Sequence, residues 1–162
     1  IESIFDAPCG DFNWFRYVSR EGLNYIGGDI VLPLVDDNST RYADATTRFF
    51  HVDITRDSFP KADLWLCRDV LFHLSEKDIY RAFSRFVDSD IPWILTTTFP
   101  EHTNNRDIPT GSFRLLNLEI PPFNFPPPMD TLIDSVEGWQ SRILGLWDRN
   151  SVAQVLSMRP IL

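Results

Sequence analysis

Positive charge is scarce in this chain: 15 lysine and arginine residues stand against 23 aspartate and glutamate residues, a formal net charge of −8. Nucleic-acid binding rests on clustered cations that release counterions from phosphates, so this balance excludes a protein whose main task is to hold DNA or RNA. Cysteine is scarcer still. Cys9 and Cys67 are too few and too far apart for a disulfide framework, and both lie in stretches that read as buried strand ends, as expected of reduced thiols in a cytoplasmic protein. No apolar run approaches the ~20 residues of a membrane span, and no basic segment followed by an apolar one marks a secretory signal.

What the chain does have is enough apolar and aromatic residue, 43% and 14% of 162 positions, to fold as one domain over residues 1–162 and bury roughly 70% of its unfolded surface. The sequence starts at Ile1, almost directly in its first strand and without an initiator methionine. An N-terminal segment able to form a lid is therefore expected to be missing from it.

The stretch Ile4-Phe5-Asp6-Ala7-Pro8-Cys9-Gly10-Asp11-Phe12-Asn13-Trp14 reads as a buried strand ending in an acid, a tight turn and a helix start. Open α/β sheets bind nucleotide-like ligands at such a place. The turn carries one glycine, with Pro8 and Phe12 where dinucleotide fingerprints carry others. A pyrophosphate needs several bare amides and no nearby anion, yet Asp6 and Asp11 flank this turn. Two carboxylates favour a cation. A nucleoside bearing an ammonium and a sulfonium, S-adenosylmethionine, suits the loop better than a nicotinamide dinucleotide.

From Asp11 as N-cap, Trp14, Phe15 and Val18 predict a helical face ending before Gly22. A second strand over 23–30 ends near Asp29, 19 positions after Gly10, where such folds place an acid that accepts ribose hydroxyl hydrogens; the alternative is a turn or cap role. Residues 32–42 read as a helix if Pro33 lies in its first turn. A third strand over 49–54 carries Asp53, placed to accept from an adenine amine beside the amide of Ile54, or else to cap the next turn. The linker over 55–62 is too short for a full crossover helix and predicts an abbreviated one. A fourth strand over 62–67 follows. Ser75 and Asp78 form a capping box ahead of Ile79, Ala82, Phe83, Phe86 and Val87 at helical spacing. A fifth strand over 92–99 precedes the proline-rich stretch 101–128, a loop long enough to be functional or poorly ordered. Strands over 129–136 and 141–147 are expected to pair across 137–140, and Asp148 to cap a helix through Leu156.

With these motifs in place, the chain resembles the class I SAM-dependent methyltransferases over essentially its full length. It looks, more narrowly, like a little-characterised bacterial-type group bearing DAPCGDFNW, CRDVLFHLS, TTTF and LNLEIPPFNFP. The resemblance implies a Rossmann-like α/β sheet, mostly parallel with one antiparallel strand near the C-terminus, with S-adenosylmethionine across the carboxyl ends of the first strands. It implies a donor-binding set of Asp6, Ala7, Pro8, Cys9, Gly10, Asp29, Ile30, Asp53, Ile54 and Arg68. In that set Ala7 to Gly10 meet the methionine part, Asp29 the ribose, Asp53 with Ile54 the adenine, and Arg68 with Asp69 lie beside the sulfonium. The chain departs from the wider family at Pro8 and Phe12, and in replacing the helix between the fifth and sixth strands with the 101–128 stretch.

Methyl transfer from a sulfonium needs alignment and dryness more than activation, and no metal. The histidines form no metal-ligand spacing with Cys9 or Cys67. For a hydroxyl acceptor, His73 is the candidate base, since its ordinary pKa is ~6.5; the alternative is that it packs under the loop or helps cap the next helix. Asp69 is the other candidate, as base or as an acidic wall for the donor's charge. Arg106, Asp107, Arg114 and Asn117 are candidates for acceptor recognition, and the run Phe123 to Pro128 is a packed surface segment or a wall for a flat or sugar-like acceptor. The expected acceptor is a small molecule or glycan, methylated at oxygen, with no nucleic acid and no membrane as partner. A catalytically silent binding or scaffold module of the same fold is the alternative.

Overall fold

A computed structural model describes residues 1–135, 138 and 140–158 of the chain. Its strands are β1 (Ser3–Asp6), β2 (Asn24–Asp29), β3 (Thr47–His51), β4 (Leu64–Cys67), β5 (Trp93–Thr98), β6 (Asp130–Ile133) and β7 (Ile143–Asp148). They form one sheet in the order β3-β2-β1-β4-β5-β7-β6. The first five are mutually parallel, and β7 runs antiparallel to both β5 and β6. This is the mostly parallel α/β sheet with one reversed strand near the C-terminus that the family resemblance implies. Chain order reverses between β1 and β4, so the tips of these strands open onto a switch point, where open α/β sheets hold their ligands.

Helix α1 (Leu32–Tyr42) accepts Pro33 in its first turn and buries only Val35 and Asn38. Helix α2 (Glu76–Val87) starts where the Ser75 hydroxyl accepts from the Asp78 amide at 3.2 Å, and it buries Ile79, Tyr80, Ala82, Phe83 and Phe86. Helix α3 (Arg149–Ser157) is capped by Asp148, whose carboxylate accepts from the Ser151 amide at 2.6 Å. The main core lies between α2, α3 and the sheet, around Phe5, Trp65, Phe83, Phe86, Ile94 and Trp147. A smaller aromatic cluster of Phe12, Phe15 and Tyr25 packs with Tyr42 and Phe49.

Two expected helices do not form. After Asp11 there is a single 3-10 turn, Phe15–Tyr17. Phe12 takes a left-handed backbone (φ 56°) and is buried under Tyr25, Tyr42 and Phe49, while Trp14 and Val18 stay 44% and 41% exposed. Burying Phe12 in that conformation ends any right-handed helix there. Asp11 accepts from the Asn13 amide instead of capping a helix. Over 55–62 a turn replaces the abbreviated helix: the amides of Arg56 and Asp57 both donate to the Asp53 carbonyl, and Phe59 packs against Phe5 and Trp65. Strands β3 and β4 are also displaced by about two residues from their predicted starts. The predicted strand end at Val136, and the hairpin turn apart from Gly138 and Gln140, lie outside the described residues.

Candidate functional site

Asp6, the last residue of β1, is buried, and among the described residues it lines neither of the two cavities described below. Its carboxylate accepts from the Tyr25 hydroxyl at 2.6 Å. Burial pushes it up to about 7, against the pull of that hydrogen bond and of the Arg68 charge. The turn beyond it is closed by its own backbone. The Ala7 amide donates to the Leu66 carbonyl, its carbonyl accepts from the Trp65 indole at 3.0 Å, and the Cys9 amide donates to Gly28. Burial also raises the Cys9 and Cys67 thiols, which keeps them protonated and unreactive.

Gly10 adopts φ +57°, and its amide donates to Asp29 at 3.1 Å. The other Asp29 oxygen accepts from the Val31 amide at 2.9 Å. One carboxylate thus ties the glycine turn to the tip of β2. Asn38, buried on α1, donates to the Gly10 carbonyl at 2.8 Å from behind. Gly28 is required by close approach, since a Cβ there would sit 2.5 Å from Val52 and 3.0 Å from Phe5.

A cleft of about 270 Å³ opens at the tips of β1, β2 and β3. Pro8, Asp29, Ile30, Asp53 and Ile54, five of the expected donor-binding residues, line it together with Val52, Val70 and Leu74. Ala7 and Cys9 are buried behind the turn, and neither they nor Gly10 line this cleft. Asp53 caps its turn, accepting from the Thr55 amide at 2.9 Å and hydroxyl at 2.7 Å, while keeping one edge on the cleft. The arginines of the lining are both neutralised, Arg56 by Asp53 at 3.5 Å and Arg81 by Asp78 at 3.0 Å. Apolar side chains together with the carboxylates of Asp29 and Asp53 fit a nucleoside, whose hydroxyls and amine are donors. They do not fit a pyrophosphate, which needs unpaired cations or bare amides.

Arg68 points elsewhere. It makes a two-pronged contact with Asp134 (3.1 and 3.0 Å), lies 3.4 Å from Asp69 and stacks 4.8 Å over Trp14. Burial would lower its pKa, but the hydrogen bonds and charges of Asp134 and Asp69 raise it on balance. Arg142 closes the ring, donating to Asp69 at 2.9 Å and lying 3.3 Å from Asp134. Asp69 itself has a left-handed backbone (φ 58°), and its amide donates to the Thr97 hydroxyl at 2.9 Å. A non-glycine residue in that region is uncommon and concentrates at functional turns.

A second cavity, of about 660 Å³, borders on segment 69–74 as well. Asp69 and His73, the two candidate bases, line it with Phe72, Phe99, Phe113 and Leu115, and with Gln140 and Arg142 from the hairpin side. Val70 and Leu74 of the same segment face the first cleft. His73 Nδ1 lies 2.8 Å from the Ser112 carbonyl. Phe99, Phe113, Gln140 and Arg142 escaped the sequence reading, although Phe113, an aromatic inside a polar loop, was a visible signal. Of the residues singled out in the loop, Asn117 binds the carbonyls of Pro100 and His102, Arg114 the carbonyl of Leu74, and Asp107 the Glu76 amide. They frame the loop and the start of α2. Phe123 and Phe125 are buried against Tyr80, Phe83 and Trp147, so this run is a packed segment and lines neither cavity.

No family model matches the sequence, and no curated protein matches it. Solved structures do. The chain is similar to 1,6-didemethyltoxoflavin-N1-methyltransferase of Burkholderia thailandensis with bound 1,6-didemethyltoxoflavin and S-adenosylhomocysteine (TM-score 0.68, 15% identity, 90% of this chain and 70% of that one). It is also similar to magnesium protoporphyrin IX methyltransferase of Synechocystis PCC 6803 with bound S-adenosylhomocysteine (0.62, 16%, 90% and 73%). Human N-acetylserotonin methyltransferase in complex with S-adenosylmethionine matches at 0.61 and 15% over 89% of this chain, which spans only 47% of the human chain. The fold is that of the SAM-dependent methyltransferases.

Proposed function

We propose that the chain is a methyltransferase, one domain over residues 1–162, that binds S-adenosylmethionine in the first cleft and methylates a small-molecule or glycan acceptor at oxygen. The observation that carries this reading is the convergence of Pro8, Asp29, Ile30, Asp53 and Ile54 on one crevice beside the Gly10 turn. The methyltransferase fold supports it. When bound, the donor supplies a methyl group on a sulfonium, already activated for in-line displacement. Asp29 accepts the ribose hydroxyl hydrogens with the lone pairs that Gly10 and Val31 leave over, and Asp53 accepts from the adenine amine. Val52, Val70 and Leu74 keep the base dry. Asp69, paired with the guanidinium groups of Arg68 and Arg142, serves as an acidic wall and not as a base, because its oxygens are engaged by those cations. His73 takes the acceptor's proton. Two buried, unpaired thiols support a cytoplasmic setting. Among the described residues, no helix is long and apolar enough to cross a membrane.

Calorimetric titration with S-adenosylhomocysteine tests the reading: saturable binding is expected, and none at all refutes it. A second reading, a donor-binding module without activity, is favoured by the turn, whose Ala7, Cys9 and Gly10 amides are all committed internally. Donor binding without turnover over a broad acceptor panel favours that reading; turnover excludes it.

A further inference from the structure

We infer that the acceptor is a flat aromatic compound carrying an ionisable hydroxyl and no net charge, seated in the second cavity with its hydroxyl at His73. This rests on the methyltransferase reading and sharpens it, because it excludes the glycan. Three phenylalanines form one contiguous aromatic part of the lining. Phe72 meets Phe99 and Phe113 edge to face, each at 5.6 Å between ring centres, and Leu115 completes the apolar lining. Phe113, in this lining, is 56% exposed to solvent, an exposure that a stacked ring reduces. A planar aromatic ring matches such walls by offset and edgewise stacking. A sugar presents hydroxyls on every edge and finds too few partners here, leaving its polar groups desolvated.

The polar lining points the same way. Arg142 spends its charge on Asp69 and Asp134, so among the described residues the lining offers no unbalanced cation for an anionic acceptor and no unbalanced carboxylate for a cationic one. Among the described residues, the polar side chains of the lining outside that network are His73 and Gln140. A carbonyl oxygen can only accept, so the 2.8 Å contact with Ser112 requires the proton on Nδ1 of His73. In the neutral ring the lone pair is therefore on Nε2. The ring is held in place by Phe72 at 4.6 Å and Phe113 at 5.7 Å. That is the form a base needs near neutral pH. The acceptor's O–H bond breaks with its proton going to Nε2, the oxygen's electron pair forms the bond to the methyl carbon, and the carbon–sulfur bond breaks with its pair left on sulfur.

Fluorescence titration of 2-naphthol into the protein saturated with S-adenosylhomocysteine tests this, with methyl glucoside as the sugar control and calorimetry of S-adenosylhomocysteine run separately. We expect saturable 2-naphthol binding, none by methyl glucoside, and about tenfold weaker 2-naphthol binding in Phe113→Ala. Phe113 is exposed enough that its removal leaves the fold, and the affinity for S-adenosylhomocysteine, intact. His73→Gln should keep 2-naphthol affinity within about threefold while lowering kcat by about 100-fold or more and abolishing the acid limb of its pH profile. If S-adenosylhomocysteine fails to bind, the methyltransferase reading falls and this inference with it. If it binds but 2-naphthol does not, or methyl glucoside binds in its place, or Phe113→Ala changes nothing, only this inference is overturned.

Discussion

The cleft at the tips of β1 to β3 and the cavity beyond β4 and β5 both border on segment 69–74, yet they are assembled by different means. The first is built on strand ends and the turns directly after them, joined by Val70, Leu74, Arg81 and Thr110, and its carboxylates Asp29 and Asp53 are held by amides two residues away or by the neighbouring Gly10 turn. The second is made of side chains brought from four separate stretches, Phe72, Phe99, Phe113 and Arg142. Its charged groups are held by one another across long chain distances, as in the Arg68–Asp134 and Arg142–Asp69 contacts. A parallel sheet places its tips together, so Asp29 and Asp53 come to the first site with the fold; the second cavity takes most of its lining from the loop and the hairpin side.

If that contrast holds, perturbations near the first cleft should act on the whole fold, and those near the second should stay local. The largest effect is expected at Asp6. In the unfolded chain this carboxyl ionises near 3.8, and in the folded chain burial holds it up to about 7. The folded state therefore keeps a proton that the unfolded state releases. That stability is complete below pH 4 and is lost as pH rises through about 7, amounting to roughly 4 kcal/mol at most. Asp6→Asn should remove this dependence, so denaturant midpoints of variant and parent should diverge between pH 5 and pH 8 in the variant's favour. Parallel curves would mean that Asp6 is ionised throughout.

Asp29→Ala comes next. It strands the amides of Gly10 and Val31, at about 1–3 kcal/mol for each unpaired group, so a loss of about 3 kcal/mol is expected together with loss of S-adenosylhomocysteine binding by calorimetry. A variant that keeps its donor affinity would separate Asp29 from the cleft. Asn117→Ala removes the side-chain bonds to Pro100, His102 and Glu119 and should cost about 2 kcal/mol. The cost should appear as faster proteolysis within 101–118, with donor affinity unchanged; a matching fall in donor affinity would break the comparison. Smallest is the Arg68–Asp134 pair, both partners about one-fifth exposed. A double-mutant cycle should return a coupling of about 1 kcal/mol.

Local features were legible in the sequence. The Ser75 cap and the stripe Ile79, Ala82, Phe83, Phe86 read directly as α2 because neighbours on a helix face are three or four residues apart. Acid-ended strands read as a ligand site because parallel strands must bring those ends together. Phe12 shows where this reading fails. Its place in an apolar pattern suggested a helix, but its burial among aromatic residues from β2, β3 and α1 imposes a left-handed turn that only the assembled core can select. Asp53 and Asp57 likewise close a turn in place of the expected helix.

The sequence alone therefore determined the chain order and type of the strands, the antiparallel pairing of the last two and the acids Asp29 and Asp53 at or just past the ends of β2 and β3, since each follows from hydrophobic period, turn chemistry and chain connectivity within a few residues. Only the tertiary structure decided that Asp6 is buried behind the turn, that Arg68 is spent on Asp134, and that His73 stands against Ser112, 39 positions on, in an aromatic cavity. Those outcomes depend on packing between distant segments, where burial and pairing, and not local preference, set each side chain's position and charge.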